Sequence, residues 1–238
     1  MTSNHPACCS PFDATWPFPE ALPGVVMRSC RFDPARLAAD DFSRSAIAAP
    51  ANIQRSVAKR QAEFLAGRLC ARCALLALTG RADVPALGEG RAPVWPAGIT
   101  GSISHSHGLA TALVARNTQW RGLGLDLEEP LASTRALSLA EEILTPAELQ
   151  RLDGLTPEQK AERITLTFSI KESLFKALYP LVHKRFYFHD AEMLDCDGTR
   201  AHLRLLIDLS AKWKAGTELE GWHCLFQGKV LSLVAVAA

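Results

Sequence analysis

Charge of one sign is what this sequence lacks first. Across 238 residues, 26 Lys and Arg stand against 25 Asp and Glu, a formal net charge of +1. So even a balance offers no broad electrostatic footprint for nucleic acid, and any phosphate binding must come from local clusters. No run of about 18 apolar residues is present, so the sequence predicts no membrane span. The first ten residues, with His5, Cys8 and Cys9, lack the basic start and apolar stretch of a secretion signal. The seven cysteines are odd in number and scattered. That pattern predicts reduced thiols in a cytoplasmic protein rather than a disulfide framework. Cys70 and Cys73 form a lone CxxC inside an apparent helix, without the strand–helix junction of a redox motif or the partners of a zinc site, and read as helix packing. Cys8 and Cys9 near His5 are too few ligands to be given a role.

What is present is a globular composition, 48% hydrophobic and 21% charged, able to bury a core. Residues 1–24 hold five prolines (Pro6, Pro11, Pro17, Pro19, Pro23) with Phe12, Trp16 and Phe18, which predicts an extended arm anchored by aromatics. A first strand is expected over 25–32. From Val57 to Leu78 the spacing predicts a helix with Ala62, Leu65, Leu69, Cys73 and Leu76 on the apolar side, and Arg60, Glu63, Phe64, Gly67 and Arg68 on the other. Gly80 is its expected stop. Gly88 to Pro96 is a shaped loop, and strands are expected at Ile99–Ser104 and Leu109–Ala115 around a Ser-His-Ser-His turn. Helical segments follow near 138–152 and 157–165, then a helix carrying Glu172 that ends at Pro180. Phe186–Met193, Ala201–Leu209, Gly221–Gln227 and Val230–Val236 read as a strand-rich meander. Strands and helices are interspersed without regular βαβ alternation, which predicts an α+β fold. A division near 117–121 gives two halves, 1–118 (with the arm) and 119–238.

Two segments carry the chemistry. Gly122-Leu123-Gly124-Leu125-Asp126-Leu127-Glu128 alternates like a half-buried strand, with the leucines toward a core and Asp126 and Glu128 on the opposite face. Strand carboxylates two residues apart are separated by about 6.6 Å along the backbone, close enough to converge on one ion. Phe168-Ser169-Ile170-Lys171-Glu172-Ser173-Leu174-Phe175-Lys176 places Glu172 and Lys176 on one side of a helix. Three carboxylates and an ammonium suit a hard cation and a phosphate, because magnesium takes oxygen ligands at about 2.0–2.1 Å and leaves positions for phosphate oxygens. The same residues also suit a solvated strand face beside an ordinary helix ion pair, and spacing alone leaves both readings open. Gly101 to Gly108 has small residues and hydroxyls that admit a ligand to the backbone, and His105 can donate to a phosphate. It lacks the G-x-S-x-G pattern of a nucleophile elbow, and His105 and His107 have no third zinc ligand at suitable spacing.

In order, Gly90-Arg91-Ala92-Pro93, Ser102-Ile103-Ser104-His105-Ser106, Gly124-Leu125-Asp126-Leu127-Glu128 and Phe168 to Ala177 resemble the 4′-phosphopantetheinyl transferase superfamily. Lys59-Arg60, Glu63 to Arg68 and Pro93 to Pro96 look like its monomeric branch, typified by enterobactin-synthase component D, rather than the short trimeric synthases. The resemblance spans roughly residues 55–195. It implies a pseudo-duplicated α+β fold of two similar halves with the active site between them. The implied reaction moves the phosphopantetheine arm of coenzyme A to a serine of an apo acyl or peptidyl carrier protein, with Mg²⁺, and releases adenosine 3′,5′-bisphosphate. It further implies Asp126, Glu128 and Glu172 as magnesium ligands, and Lys176 and Lys171 as contacts to the diphosphate. Ser104 and His105 would meet the nucleotide's phosphates, Arg60, Arg68 and Arg91 would supply further positive charge, and Glu172 would be the base. The partners are a carrier of fatty-acid, siderophore or peptide assembly, and no nucleic acid. The rival expectations are a catalytically inactive coenzyme-A-binding scaffold and a Mg²⁺-dependent phosphohydrolase acting on coenzyme A. Two departures stand out: Phe168 where some relatives carry tryptophan, and Ala48 to Asn52 where many carry basic residues, leaving Arg55 as the substitute.

Overall fold

The computed structural model describes residues 5–238. The chain divides into two compact units, one of Met1–Trp16 with Leu22–Gln119, the other of Pro17–Ala21 with Trp120–Ala238. Each pairs one long helix with an antiparallel sheet, and the expected α+β class holds.

In the first unit, β1 (Val26–Arg31), β4 (Ile99–Ser106) and β5 (Leu109–Arg116) form a sheet in the order β1-β5-β4. Two short helices, α1 (Asp41–Arg44) and α2 (Ala51–Gln54), precede α3 (Ala58–Thr79), which packs on this sheet. Gly80 ends α3 in the left-handed region at φ 75°, its N–H bonded to Leu76 O, as its position predicted. The expected one-sided stripe is wrong in detail: Glu63, Phe64, Gly67 and Arg68 are buried too, and Leu76 is exposed. The reason is that both sides of α3 are covered. A Cβ at Gly67 would crowd Ile103 of β4 at 2.9 Å, and Phe42 and Leu87 pack against the same core. Leu87 belongs to β2 (Ala86–Leu87), paired with β3 (Pro93–Val94) across a turn at Glu89–Arg91, so the shaped loop is a small hairpin. The second and third strands of the main sheet join at His107-Gly108, which puts Ser104 and His105 inside β4 rather than on the turn.

The described part of the arm runs beside β1, bridging Cys9 to Phe32 and Asp13 to Ser29. Buried thiols fill the space beneath it: Cys8 Sγ lies 3.8 Å from Cys9 Sγ, and Cys70 Sγ 3.5 Å from Cys30 Sγ. A hydrogen bond to Cys30, with burial, pushes the Cys9 thiol up to about 12, which leaves it unreactive. Cys70 is buried against Cys30 and Ala110 O, as helix packing predicts, and Cys73 is half-buried.

In the second unit the sheet order is β6-β10-β9-β8-β7, from β6 (Trp120–Glu128), β7 (Ala191–Asp197), β8 (Arg200–Leu205), β9 (Glu218–Phe226) and β10 (Lys229–Ala237), all neighbours antiparallel. The stretch 138–152 is two helices, α4 (Ser133–Ile143) and α5 (Pro146–Gln150), because Thr145 and Glu148 form a capping box that starts a new helix at Pro146. The segments 157–165 and 168–178 are one helix, α6 (Pro157–Val182), opened by a second capping box of Thr156 and Gln159. Pro180 does not stop it. A proline in the last turn deletes only one helix hydrogen bond, and Leu181 and Val182 still pack on the core. Phe186–Asp190 is a turn ending in a 3₁₀ segment rather than the start of a strand, and the strand expected to Leu209 ends at Leu205. Among the described residues no helix is long and apolar enough to cross a membrane.

Helix α6 lies on β6 and β10. Glycine makes the approach to β6 that close: a Cβ at Gly124 would collide with Ser173 O, and one at Gly122 with Ala177 O. The acidic strand thus has no solvated face. Leu123, Leu125 and Leu127 are buried as expected, and Asp126 on the opposite face is buried as well.

Candidate active site

Asp126 sits two residues beyond Gly124 on the strand face that meets α6. Its Oδ1 accepts from Lys176 Nζ at 2.6 Å, and its Oδ2 from Ser169 Oγ at 3.0 Å. Lys176 also donates to Leu125 O at 3.1 Å. Glu172 lies one helical turn before Lys176, and Glu128 two residues past Asp126. Burial, with Asp126, Glu172 and Glu129 adding and Lys176 opposing, pushes Glu128 up to about 7. Burial also raises Glu172, with Asp126 adding and Lys176 opposing. Two of the three carboxylates are thus buried at a cost to their charged forms, a cost that a hard cation with oxygen ligands would offset. By donor chemistry the set suits Mg²⁺. Its arrangement is more open: among the described residues no three His, Cys, Asp or Glu side chains are gathered to hold a metal ion. Asp126 is engaged by Lys176 and Ser169, so taking a cation on Oδ1 means exchanging the ammonium.

Lys171 corrects the expectation that it meets a diphosphate. Its ammonium is buried and donates to Glu148 Oε2 at 2.6 Å, Phe188 O at 2.9 Å and Ile143 O at 3.0 Å. Three acceptors use all three of its N–H groups, so none remains for a ligand. Glu148 is the residue that sequence reasoning missed. Its other oxygen takes the Met193 N–H at 2.6 Å, and its signal was the Thr145-x-x-Glu148 capping box. Beside Glu172 opens a cavity of about 200 Å³ walled by Phe175, Phe186, Tyr187 and Phe188, with Arg185 also lining it. Phe186 is buried and Tyr187 is 72% exposed.

In the first unit Arg60, Glu63, Arg68, Arg91 and His105 line a cavity of about 110 Å³. Arg60 Nη1 is 3.1 Å from His105 Nε2 and 3.3 Å from Glu63 Oε2, and His105 Nδ1 is 3.8 Å from the same carboxylate oxygen. Since a guanidinium can only donate, Arg60 is the donor in its contact with His105 Nε2. Arg68 lies over the Phe64 ring at 4.7 Å and is only 6% exposed, yet its Nε has no hydrogen-bond partner. Burial, aided by Arg60, pulls this guanidinium down to about 10, a charge wanting an anion. Arg91 reaches the cavity from a positive-φ position (68°). Ser104 does not join them: strand alternation puts it on the face of β4 opposite Ile103 and His105. Arg55 donates to Ala51 O in its own turn and does not line the cavity.

Both halves of this chemistry fall inside matched regions. The model of the 4′-phosphopantetheinyl transferase N-terminal domain matches residues 48–115, and that of the 4′-phosphopantetheinyl transferase superfamily matches residues 122–227. The chain belongs to the 4′-phosphopantetheinyl transferase superfamily. It is 41% identical over 156 residues to enterobactin synthase component D of Escherichia coli K12, covering 65% of this chain and 71% of that one. It is 37% identical over 201 residues to the 4′-phosphopantetheinyl transferase Svp of Streptomyces mobaraensis (79% and 77% covered). Against the 4′-phosphopantetheinyl transferase PptT of Mycobacterium tuberculosis the identity is 35% over 196 residues (77% and 82%). The resemblance read from the ordered motifs is thereby established, and the chain is an enzyme of the 4′-phosphopantetheinyl transferase class.

Proposed function

We propose that this transferase moves the 4′-phosphopantetheine arm from coenzyme A to a serine of an apo acyl or peptidyl carrier protein, depends on Mg²⁺, and releases adenosine 3′,5′-bisphosphate. The observation that carries the reading is the carboxylate set of Asp126, Glu128 and Glu172 on facing strand and helix, with Glu128 and Glu172 pushed toward protonation chiefly by burial. These three would hold the ion, which when bound supplies Lewis acidity at the diphosphate. Lys176, paired with Asp126 here, would neutralise charge on the transferring group once a cation took its place. The serine oxygen bonds the pantetheine-side phosphorus as the bond to the bridging oxygen breaks, and the electron pair leaves with the bisphosphate. By the family resemblance Glu172 would accept the serine proton, directly or through a water.

The unpartnered Arg68 Nε, with Arg60, Arg91 and His105, supports phosphate recognition in the first unit. Ser104 is carried for that role by the family resemblance alone. The aromatic-walled cavity beside Glu172 suits the aliphatic arm, and exposed Tyr187 suits the carrier. Relatives named for enterobactin synthase favour a siderophore-assembly carrier among the partners.

Asp126→Ala and Glu172→Ala should each lower transfer at least about 100-fold, with thermal unfolding still cooperative. Near-wild-type turnover in either would remove that residue from the site.

A further inference from the structure

Asp126 is the end point of a line of hydroxyl groups that the reaction itself does not use. Ser232 on β10 is its register partner across the sheet, and Ser169 and Ser173 are successive turns of α6 above the same face. All three serines are fully buried. Ser169 Oγ is 3.0 Å from Asp126 Oδ2 and 2.7 Å from Ser232 Oγ. Ser173 Oγ is 2.8 Å from Ser232 Oγ and 3.0 Å from Ser232 O.

The direction of this line follows from proton counting. A carboxylate only accepts, so Ser169 gives its single proton to Asp126. The short contact between Ser169 and Ser232 then requires Ser232 to donate to Ser169. With that proton used, Ser232 Oγ can only accept from Ser173, whose one proton is shared with Ser232 O, so this last link is the weakest of the line. Each hydroxyl that accepts a hydrogen bond becomes a better donor to the next, so the effect accumulates toward Asp126.

We infer that Ser173, Ser232 and Ser169 form a one-way relay that fixes Asp126 Oδ2 and thereby aims Oδ1, the oxygen held by Lys176, at the place a cation would take. They are positioning residues, and the inference rests on the proposed role of Asp126 as a cation ligand. Partners of this kind are worth about 10- to 100-fold in metal affinity.

Ser169, Ser232 and Ser173 allow an internal control, because each Ala variant removes one oxygen from an equally buried site. Mn²⁺ is the probe, and its dissociation constant is read by electron paramagnetic resonance on the full chain without coenzyme A, with thermal unfolding measured alongside. The relay predicts graded weakening: about tenfold for Ser169→Ala, less for Ser232→Ala, and near wild type for Ser173→Ala. Ser169→Thr, which keeps the hydroxyl, should bind more tightly than Ser169→Ala. Equal losses in all three variants, or wild-type affinity in Ser169→Ala, would overturn the relay. Should Ser169→Ala fail to fold, Ser232→Ala against Ser173→Ala carries the same contrast. Mn²⁺ binding lost in Asp126→Ala but unchanged in the serine variants overturns the relay alone. Failure of the wild-type chain to bind Mn²⁺ overturns the cation site and the relay with it.

Discussion

Glu128 keeps its proton to about pH 7 in the folded chain, against an ordinary value of 4.5, because burial and the neighbouring carboxylates oppose its charge. A carboxyl raised by folding contributes stability that is complete below its unfolded value and is lost as pH rises through its folded one. Without added metal, the protein should therefore lose stability between about pH 4.5 and 7, by at most on the order of 3 kcal/mol from this group. Glu128→Gln should flatten that fall in unfolding free energy, measured by urea titration across the range. Parallel pH profiles for variant and wild type would show that the strain lies elsewhere. Glu172 is raised in the same direction and adds to the same slope. Individual residues were unevenly legible in the sequence. Spacing put Asp126 on a strand face and Glu172 with Lys176 on one side of a helix, and the ordered motifs gave them a role, whereas Glu63 stood only on the polar side of a helix and Glu148 had no role assigned. Their roles depend on His105 and Lys171, distant in sequence and neighbours only after folding.

Among elements, the Lys171–Glu148 pair is the tie that joins α6 to the end of α4, to α5, to the Phe188 turn and to β7. Removing one partner of a buried pair strands the other charge, at a cost of about 3–5 kcal/mol. Lys171→Met should lower the urea midpoint by that order, and Lys171→Met/Glu148→Gln should recover much of the loss, since a neutral amide still offers an acceptor. A double variant no more stable than the single one would contradict the pairing. Adjacent helix residues diverge by about a quarter turn, and although Lys171 and Glu172 both line the cavity, the Lys171 ammonium is taken up by Glu148, Ile143 O and Phe188 O, which a motif read as a string cannot show. The long helix α3 was legible because apolar spacing and a terminal glycine both marked it. Pro180 misled because a proline in a last turn costs little when packing continues past it. The glycines at 122 and 124 read as strand residues, but their purpose appears only with α6 against them.

The whole molecule is two units, each a long helix on an antiparallel sheet, with an arginine-lined cavity in the first and a carboxylate cluster in the second. Family membership fixes the transferase class, and the metal and the phosphate contacts are what we propose for it. The most direct measurement is the intact mass of an apo carrier protein after incubation with this enzyme, coenzyme A and Mg²⁺. The expected result is a gain of one phosphopantetheine on the carrier serine, an equal release of adenosine 3′,5′-bisphosphate, and loss of both when Mg²⁺ is chelated. An unchanged mass across several acyl and peptidyl carriers would contradict it, as would bisphosphate released at the same rate with no carrier present.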